Sequence, residues 1–564
     1  MAERAPENAA VTGGFATGMA ELLLARAQDE GTALLFGSQR WSWREFVQAA
    51  AVRAEIALDQ RSPGPFHIGL LMDNRPEYLC WLAGAALSGA TVVGINPTRR
   101  GAELAGDIAH ADCQLYVTDP AGAATLAEVA TELAADRVHN VESPRYAQLL
   151  AAHECAALPA PPDPATLLML LFTSGSTSAP KLVKCSTGRL AYLGSRAAER
   201  YEFSAEDICY CAMPLFHGNA TMGVWAPAVT VGAAMALAPR FSARAFLPDI
   251  QRYEATFFNY VGKSLSYILA TPERPDESDN RLRLGYGTEA SWKDIESFTR
   301  RFGCPLVEGF GMSEGGGLQI RWSSEGPRDS IGKPAFPTIH IVDPETGAEC
   351  PPAIFDADGH LTNAEQAIGE LVNTEGLALF EGYYRNPEAE AERTRRGWFW
   401  SGDLAYRDAD GWYFFAGRAS DRLRVDSENF TAAPVERILF RYPMVRGAAV
   451  YAAPDPEGGD AVMAALELVE GHTFDPADFE AFLGAQPDLG PKWVPRLVRI
   501  VEQIPLTGSN KVRKTPLRQQ RWATTDPVWW RSDARSHAWT RMTDADKADH
   551  DAQFVARGRE AALR

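Results

Sequence analysis

The sequence predicts an α/β protein in which a large N-terminal part, built of parallel sheets and helices, precedes a smaller α/β part. Three observations predict it. The chain has 564 residues, too many for one ordinary core and enough for about three or four structural units. Between residues 66 and 117, apolar runs of strand length alternate with segments of helical apolar spacing, the rhythm of parallel strands joined by crossover helices. From Asp421 to about Leu517 a second alternation begins, with a helix over Ala433–Phe440 and strands near Ala448–Ala452 and Val462–Leu468.

Composition narrows the class of function. Hydrophobic residues make up 46% and charged residues 23%, the balance of an ordinary globular chain. A net charge of -18 argues against general binding to nucleic acid or anionic membranes, so a site for a phosphate-bearing ligand has to be locally basic. Cysteines stand at 80, 113, 155, 185, 209, 211, 304 and 350 without a C-x-x-C spacing, which points to reduced thiols and away from a disulfide framework or zinc site. The opening M-A-E-R-A-P-E-N-A-A has no basic start followed by an apolar core, and no run approaches the ~18 apolar residues of a membrane span. A cytoplasmic protein without a membrane span is expected.

Helical spacing runs through Met19–Ala27 and Trp43–Ile56, with strand-like Thr32–Phe36 between them. Phe66–Asp73 reads as a buried strand, Glu77–Gly89 as a helix entered through Asn74-Arg75-Pro76, and Thr91–Ile95 as the next strand. Glu103–His110 continues as helix and Gln114–Val117 as strand. Residues 121–164 hold an Ala-rich helix and the connector A-L-P-A-P-P-D-P. After a buried strand ending at Phe172, a helix is expected over Gly188–Tyr201, a strand over Asp207–Ala212, and apolar core over Trp225–Ala238 and Ala255–Val261. Trp398–Phe415 reads as two strands about a D-A-D-G turn. The Trp-rich, charged tail carries no functional signal.

One stretch carries chemistry on its residues alone. The strand ending at Phe172 empties into T-S-G-S-T-S-A-P-K, residues 173–181. The hydroxyls of Thr173, Ser174, Ser176 and Thr177, with backbone N–H groups of a turn containing Gly175, can point several donors at one anion, and Lys181 adds a full positive charge. The pattern G-x-x-x-x-G-K-[ST] is not met, because no glycine precedes Lys181 and no Ser or Thr follows it.

Residues 170–184 resemble the T-S-G-[ST]-T-G-x-P-K-G signature of the adenylate-forming superfamily, which includes acyl-CoA synthetases, peptide-synthetase adenylation domains and luciferases. Further signatures follow in the superfamily's order and cover roughly residues 165 to 515. P-L-F-H-G-N-A-T-M at Pro214–Met222 is similar to the next one, whose histidine caps the acyl pocket and here is His217. Ala255–Val261 matches a wall of the acid pocket, giving Tyr260 and Val261, with Gly285 beside them, as substrate candidates. R-L-G-Y-G-T-E-A-S at Arg283–Ser291 fits the turn lining the adenine side, giving Gly287 and Thr288. L-V-E-G-F-G-M-S-E-G-G-G at Leu306–Gly317 fits Y-G-x-T-E, which implies Phe310 stacking on adenine, Ser313 reaching the α-phosphate and Glu314 holding magnesium, with Gly311 and Met312 beside them. Asp403 takes the place of the aspartate that accepts from both ribose hydroxyls, and Arg418 that of the motif arginine near the ribose and α-phosphate. In P-L-T-G-S-N-K-V-R-K, Lys511 matches the adenylating lysine, with Lys514 the nearby alternative. S-E-G-G is most similar to the fatty-acid-transport-protein-like, very-long-chain branch.

The resemblance implies an adenylate-forming domain over 1–419 for the acid and ATP sites, a hinge at Ser420, and a mobile small domain with its tail over 420–564. It implies an ATP-dependent acid–thiol ligase. ATP and Mg2+ activate a carboxylic acid to acyl-AMP, and CoA, met by Ser427, Glu428 and Asn429, takes the acyl group. Lys511, His217 and Glu314 are the catalytic candidates, with Glu314 also the metal ligand. Because the apolar segments 225–238 and 257–261 carry no charged anchor, a fatty acid or other bulky apolar acid is expected and not an amino acid. Ser178 and Leu182 stand where relatives carry loop glycines, and Ser427 where they carry the glycine bordering the pantetheine tunnel. These departures leave two alternatives open: thioesterification of an acyl-adenylate supplied by a partner enzyme, and loading of a carrier protein.

Overall fold

The computed structural model describes residues 15–130, 133–154, 156–173, 181–318, 320–321, 326–327, 330–356, 361–418, 422–425, 428–456, 459–486, 489–490, 492–507, 511–531, 538–557 and 559–563. The chain divides into two compact units. One takes Met1–Gln319 and Glu375–Phe399, the other Ile320–Thr374 and Trp400–Arg564.

Two sheets build the first unit. One runs Leu306–Glu308, Leu284–Gly287, Phe257–Asn259, Ile208–Cys211, Ala234–Leu237, Thr32–Phe36, Gln39–Ser42, with every neighbouring pair parallel except the last, a hairpin. The other runs Val138–Asn140, Leu115–Thr118, His67–Leu71, Thr91–Gly94, Leu167–Thr173, Lys181–Ser186, parallel until its final antiparallel pair. Strands read as unbroken apolar runs where both faces are covered, and every residue of His67–Leu71, Thr91–Gly94 and Leu115–Thr118 is buried. The crossover helices are bounded by local chemistry. Ser42 and Glu45 form a capping box for Trp43–Asp59, and Gly89 at φ 74° ends Pro76–Ser88.

The expected alternation over 66–117 is present. Strands not expected from the sequence include Gln39–Ser42, Val138–Asn140 and Lys181–Ser186. Q-R-W-S and V-H-N are short and polar, and K-L-V-K-C-S follows a polar loop. What makes each a strand is the ladder offered by its neighbour, which local propensity does not record.

In the second unit, Ile339–Val342, Gly369–Asn373, Phe399–Arg407 and Tyr413–Arg418 form one sheet. Its last hairpin closes on the expected D-A-D-G turn: Asp408 Oδ1 accepts from the N–H groups of Asp410 at 3.0 Å and Trp412 at 2.8 Å, and Gly411 takes φ 80°. A second sheet runs Val445–Pro454, Asp460–Leu468, Leu497–Val501, Val528–Trp530, Thr540–Arg541. Its last two strands and the helix Asp544–Ala556 come from the Trp-rich tail. Trp522 is buried there, donating Nε1 to Asp551 at 2.9 Å, with its ring edge-on to His550 at 4.5 Å. Trp522 and Trp539 are core, while Trp529 and Trp530 are half-buried. Among the described residues no helix is long and apolar enough to cross a membrane.

Candidate active site

Thr173 ends one strand of the antiparallel pair and Lys181 begins the other, directly opposite it, with Phe172 opposite Leu182. Residues 174–180 link the two ends. Ser174, Gly175, Ser176, Thr177 and Ser178 lie outside the described residues. Leu182 is a strand residue whose side chain is fully buried in a cluster with Leu71, Val93 and Leu170. The hydrophobic core sets its identity.

Lys181 Nζ lies 3.5 Å from Glu392 Oε2 and 5.8 Å from the centre of the Tyr383 ring. The buried Tyr383 donates its hydroxyl to Glu314 Oε1 at 2.9 Å and accepts from Arg393 Nε at 3.2 Å. Burial first, and the Glu314 carboxylate second, push this phenol well above its ordinary value, so it stays a donor. Glu314 is itself buried and is followed by Gly315, Gly316 and Gly317 at φ 78°, 52° and 62°. That left-handed run suits glycine alone, and a Cβ on Gly316 would stand 2.1 Å from the Phe399 ring. Arg189, buried in the helix Thr187–Arg200, donates to the carbonyls of Ser313 at 2.7 Å and Lys184 at 2.8 Å. The turn bearing Glu314 is thereby tied to the strand bearing Lys181.

His217 caps the short helix Gly218–Ala220, its Nδ1 accepting from the Asn219 N–H at 3.2 Å. A Cβ on Gly218 would lie 3.5 Å from Ser313 Oγ, so the His217 turn borders the Glu314 turn. Beyond it, Thr221–Trp225 forms a π-helical turn. Asn259 donates Nδ2 to Asn219 Oδ1, while its own Oδ1 is buried without a partner among the described residues.

The remaining candidates of this unit pack the strand ends. Tyr260 is buried: its ring occupies the space of a Cβ at Gly287, 2.2 Å away, and its hydroxyl donates to Glu308 Oε1 at 2.7 Å. Gly285 meets the Phe258 ring in the same way, with a Cβ there 2.5 Å from it. Val261 is buried before the helix Gly262–Leu269, whose first N–H donates to the Thr288 carbonyl at 2.8 Å. Burial pushes the Glu308 carboxyl up to about 7, although donation from the Tyr260 hydroxyl and the Ala290 N–H pulls the other way. Phe310, Met312 and Ser313 keep part of their surface accessible, and Gly311 is exposed.

A family model described as AMP-binding enzyme matches residues 24–384, the span that holds Lys181, the His217 turn and Glu314. The chain belongs to the AMP-binding enzyme family. The model of the AMP-binding enzyme C-terminal domain matches residues 434–511. Among curated relatives, steroid-22-oyl-CoA synthetase of Rhodococcus jostii is 49% identical over 549 residues, covering 97% of this chain and 99% of its own. The medium/long-chain-fatty-acid–CoA ligase FadD17 of Mycobacterium tuberculosis is 46% identical over 512 residues, 90% of this chain and 97% of its own. Of solved structures, ATP-bound MatB from Rhodopseudomonas palustris superposes with a TM-score of 0.77 at 22% identity, covering 89% of this chain and 99% of that one. That likeness is one of fold.

In this AMP-binding enzyme the second unit carries the other candidates. Asp403 and Arg418 pair across the hairpin of the first-described sheet. Ahead of Asp403, Ser401 Oγ accepts its N–H at 3.0 Å and donates to the Leu371 carbonyl at 2.6 Å, and Gly402 turns at φ 73°. The S-G-D order is thus a local fold that buries Asp403. Lys511 stands at the base of a narrow loop: Leu506 bridges to Val512, the Thr507 N–H donates to the Lys511 carbonyl at 2.7 Å, and Thr507 Oγ1 accepts the Lys511 N–H at 3.1 Å. Lys514 Nζ is 2.8 Å from Glu436 Oε1. Glu428 opposite Val425 and Asn429 opposite Arg424 belong to a small antiparallel pair, while Ser420 and Ser427 lie outside the described residues.

Reasoning from sequence missed Tyr383, Arg393 and Arg189. The signal for the first two was present in G-Y-Y-R-N-P-E, an aromatic pair before an Asn-Pro helix start.

Proposed function

We propose that this AMP-binding enzyme is an acyl-CoA ligase that activates a large apolar carboxylic acid with ATP and passes the acyl group to CoA. The observation that carries the reading is the 49% identity along nearly the whole chain with a synthetase of steroid-22-oyl-CoA. A steroid side-chain acid is accordingly the preferred substrate class, with long fatty acids second.

In this reading the acid's carboxylate oxygen attacks the α-phosphorus of ATP, and the bond to the β-phosphate oxygen breaks to release pyrophosphate. The two anions repel, so positive groups have to offset their charge before they meet. Lys181 and the donors of 173–177 take the departing phosphates, Lys511 the reacting carboxylate and α-phosphate, Asp403 the ribose hydroxyls and Arg418 the ribose and α-phosphate. Phe310, Gly311 and Met312 with Gly287 and Thr288 hold adenine, and His217 closes the acid's side with the wall around Tyr260, Val261 and Gly285. The CoA thiolate then attacks the acyl carbon, and AMP leaves with the bridging oxygen.

Magnesium belongs to the proposal. Glu314 offers a hard carboxylate oxygen, Oε2, that takes no hydrogen bond from a described residue. Among the described residues no three His, Cys, Asp or Glu side chains could together hold a metal. The nucleotide's oxygens and water would therefore supply the remaining ligands. When bound, the ion neutralises phosphate charge.

A boundary near 420, with Ser420 as hinge, lets the small domain exchange Lys511 for the 427–429 segment between half-reactions. A cytoplasmic setting is supported by the described cysteines, all of them free.

The test is an acid-dependent thioester assay with ATP and either CoA or a phosphopantetheinyl carrier protein. Acyl-CoA from a steroid side-chain acid is expected. Thioester formed only from supplied acyl-AMP, or only on the carrier, would replace the proposal with one of the two alternatives.

A further inference from the structure

Glu314 and Lys181 are not neighbours in sequence, and one side chain links them. Tyr383 donates to Glu314 Oε1 at 2.9 Å, while Lys181 Nζ sits 5.8 Å from the centre of its ring, within cation–π range. The segment that presents Tyr383 is built for that position. Its backbone lies along the edge strand Lys181–Ser186: Tyr383 bridges to Val183, the Lys184 N–H donates to the Gly382 carbonyl at 3.1 Å, and the Tyr384 N–H donates to the Leu182 carbonyl at 2.8 Å. Gly382 adopts φ 84°, and a Cβ there would stand 2.3 Å from Glu390 Oε2, the oxygen that accepts the Tyr383 N–H at 3.1 Å.

The next helix, Pro387–Arg393, completes the arrangement. Asn386 starts it by accepting the Ala389 N–H at 3.1 Å. From this helix Glu390 fixes the Tyr383 backbone, Arg393 Nε donates to its hydroxyl at 3.2 Å, and Glu392 stands 3.5 Å from Lys181 Nζ. With Arg393 donating to it, the Tyr383 hydroxyl has its own hydrogen left for Glu314, so the direction of that bond is set.

We propose that Tyr383 is a positioning residue that couples the two halves of the phosphate-handling centre. Its hydroxyl fixes Glu314 so that Oε2 is presented to a magnesium–nucleotide complex, and its ring seats the Lys181 ammonium over the same complex. Glu392, 68% exposed, holds the other side of that ammonium and yields to the stronger charge of a polyphosphate. The inference rests on the proposed function, since it names the site's ligand as magnesium–ATP.

The experiment is calorimetric titration of the full-length protein with ATP, with and without Mg2+, for the wild type, Tyr383→Phe and Tyr383→Leu, beside melting curves for each. Tyr383→Phe keeps the ring and loses only the hydroxyl. It is expected to bind metal-free ATP as the wild type does but to lose about tenfold of the tightening that Mg2+ brings, the scale of one hydrogen bond to a charged group. Tyr383→Leu is expected to weaken metal-free ATP as well, because Lys181 loses its seat. The KM for Mg–ATP in pyrophosphate release should rise in both variants.

Wild-type Mg2+ dependence in Tyr383→Phe would overturn the inference, as would equal losses with and without Mg2+ that track a lowered melting temperature, the mark of a merely structural tyrosine. A wild-type protein that binds no ATP under either condition contradicts the ligase reading itself, which keeps the two failures distinct.

Discussion

Lys514 Nζ sits 2.8 Å from Glu436 Oε1, in a largely buried ion pair that fastens the end of the Lys511 loop to the helix Ala432–Leu439. Glu436 Oε1 also accepts the Val450 N–H at 2.7 Å, so the anchor reaches the adjoining sheet. Lys511 is the lysine at the place of the family's adenylating residue, while Lys514 anchors the loop. Lys511→Ala should lower acyl-AMP formation by on the order of a hundredfold, as loss of a charge met only in the transition state does. Thioester formation from supplied acyl-AMP should persist. Lys514→Ala should instead lower the melting temperature, with a smaller loss in both half-reactions. Pyrophosphate release and acyl-AMP turnover, measured on both variants, decide the assignment; the reverse ranking would make Lys514 the adenylating residue.

Glu308 supplies a pH signature. Its carboxyl titrates at about 7 in the folded chain against an ordinary 4.5, burial being the main cause. Because the folded state holds this proton more tightly than the unfolded one, the group's contribution to stability is complete below about 4.5, falls between about 4.5 and 7, and is gone above. Glu308→Gln keeps an acceptor for the Tyr260 hydroxyl and removes the titration. The variant should lose less stability than the wild type between about pH 5 and about pH 8, gaining up to ~3 kcal/mol at the upper end. Parallel melting curves for the two proteins across that range would rule this out.

Leu182 tests whether a departure from the family's loop glycine disables pyrophosphate chemistry. Its side chain is fully buried, so Leu182→Ala should destabilise the protein by about 2–5 kcal/mol through lost packing and a residual cavity. Pyrophosphate release per folded molecule should not improve in Leu182→Ala or Leu182→Gly. A gain in either variant would mean that phosphate handling, and not the core, selects this residue.

Much of this was legible in the chain. Strands such as His67–Leu71 and helices such as Pro76–Ser88 are read easily because burial on all sides leaves an apolar signature and Gly89 or Asn-Arg-Pro marks the ends. Signature residues could be placed because their order along the chain carries the resemblance. Lys181–Ser186 was not legible as a strand, since it owes its form to a ladder with Leu167–Thr173. The tail was not legible either. Trp522 and Trp539 become core only in the folded unit, which a Trp-rich, charged composition does not announce. Within the site, the link from Lys181 through Tyr383 to Glu314 joins three separate stretches, and no local pattern announces such a contact.

The proposed substrate class can be tested against the segments assigned to the acid wall. The segments 257–261 and 221–231 bring buried apolar side chains and no described carboxylate to offset an ammonium. Steroid side-chain acids and long fatty acids should outcompete acetate and α-amino acids in CoA consumption by at least about a hundredfold in kcat/KM, the scale of burying several methylenes. Best turnover with acetate or an amino acid would contradict the reading of the wall.

The most direct measurement follows an oxygen atom. A steroid side-chain acid labelled with 18O in its carboxylate is converted with ATP and CoA, and the products are weighed by mass spectrometry. If the carboxylate attacks the α-phosphorus and CoA then displaces AMP, one labelled oxygen appears in AMP and none in pyrophosphate. Label in orthophosphate, with ADP as co-product, would contradict the adenylate route on which the account rests.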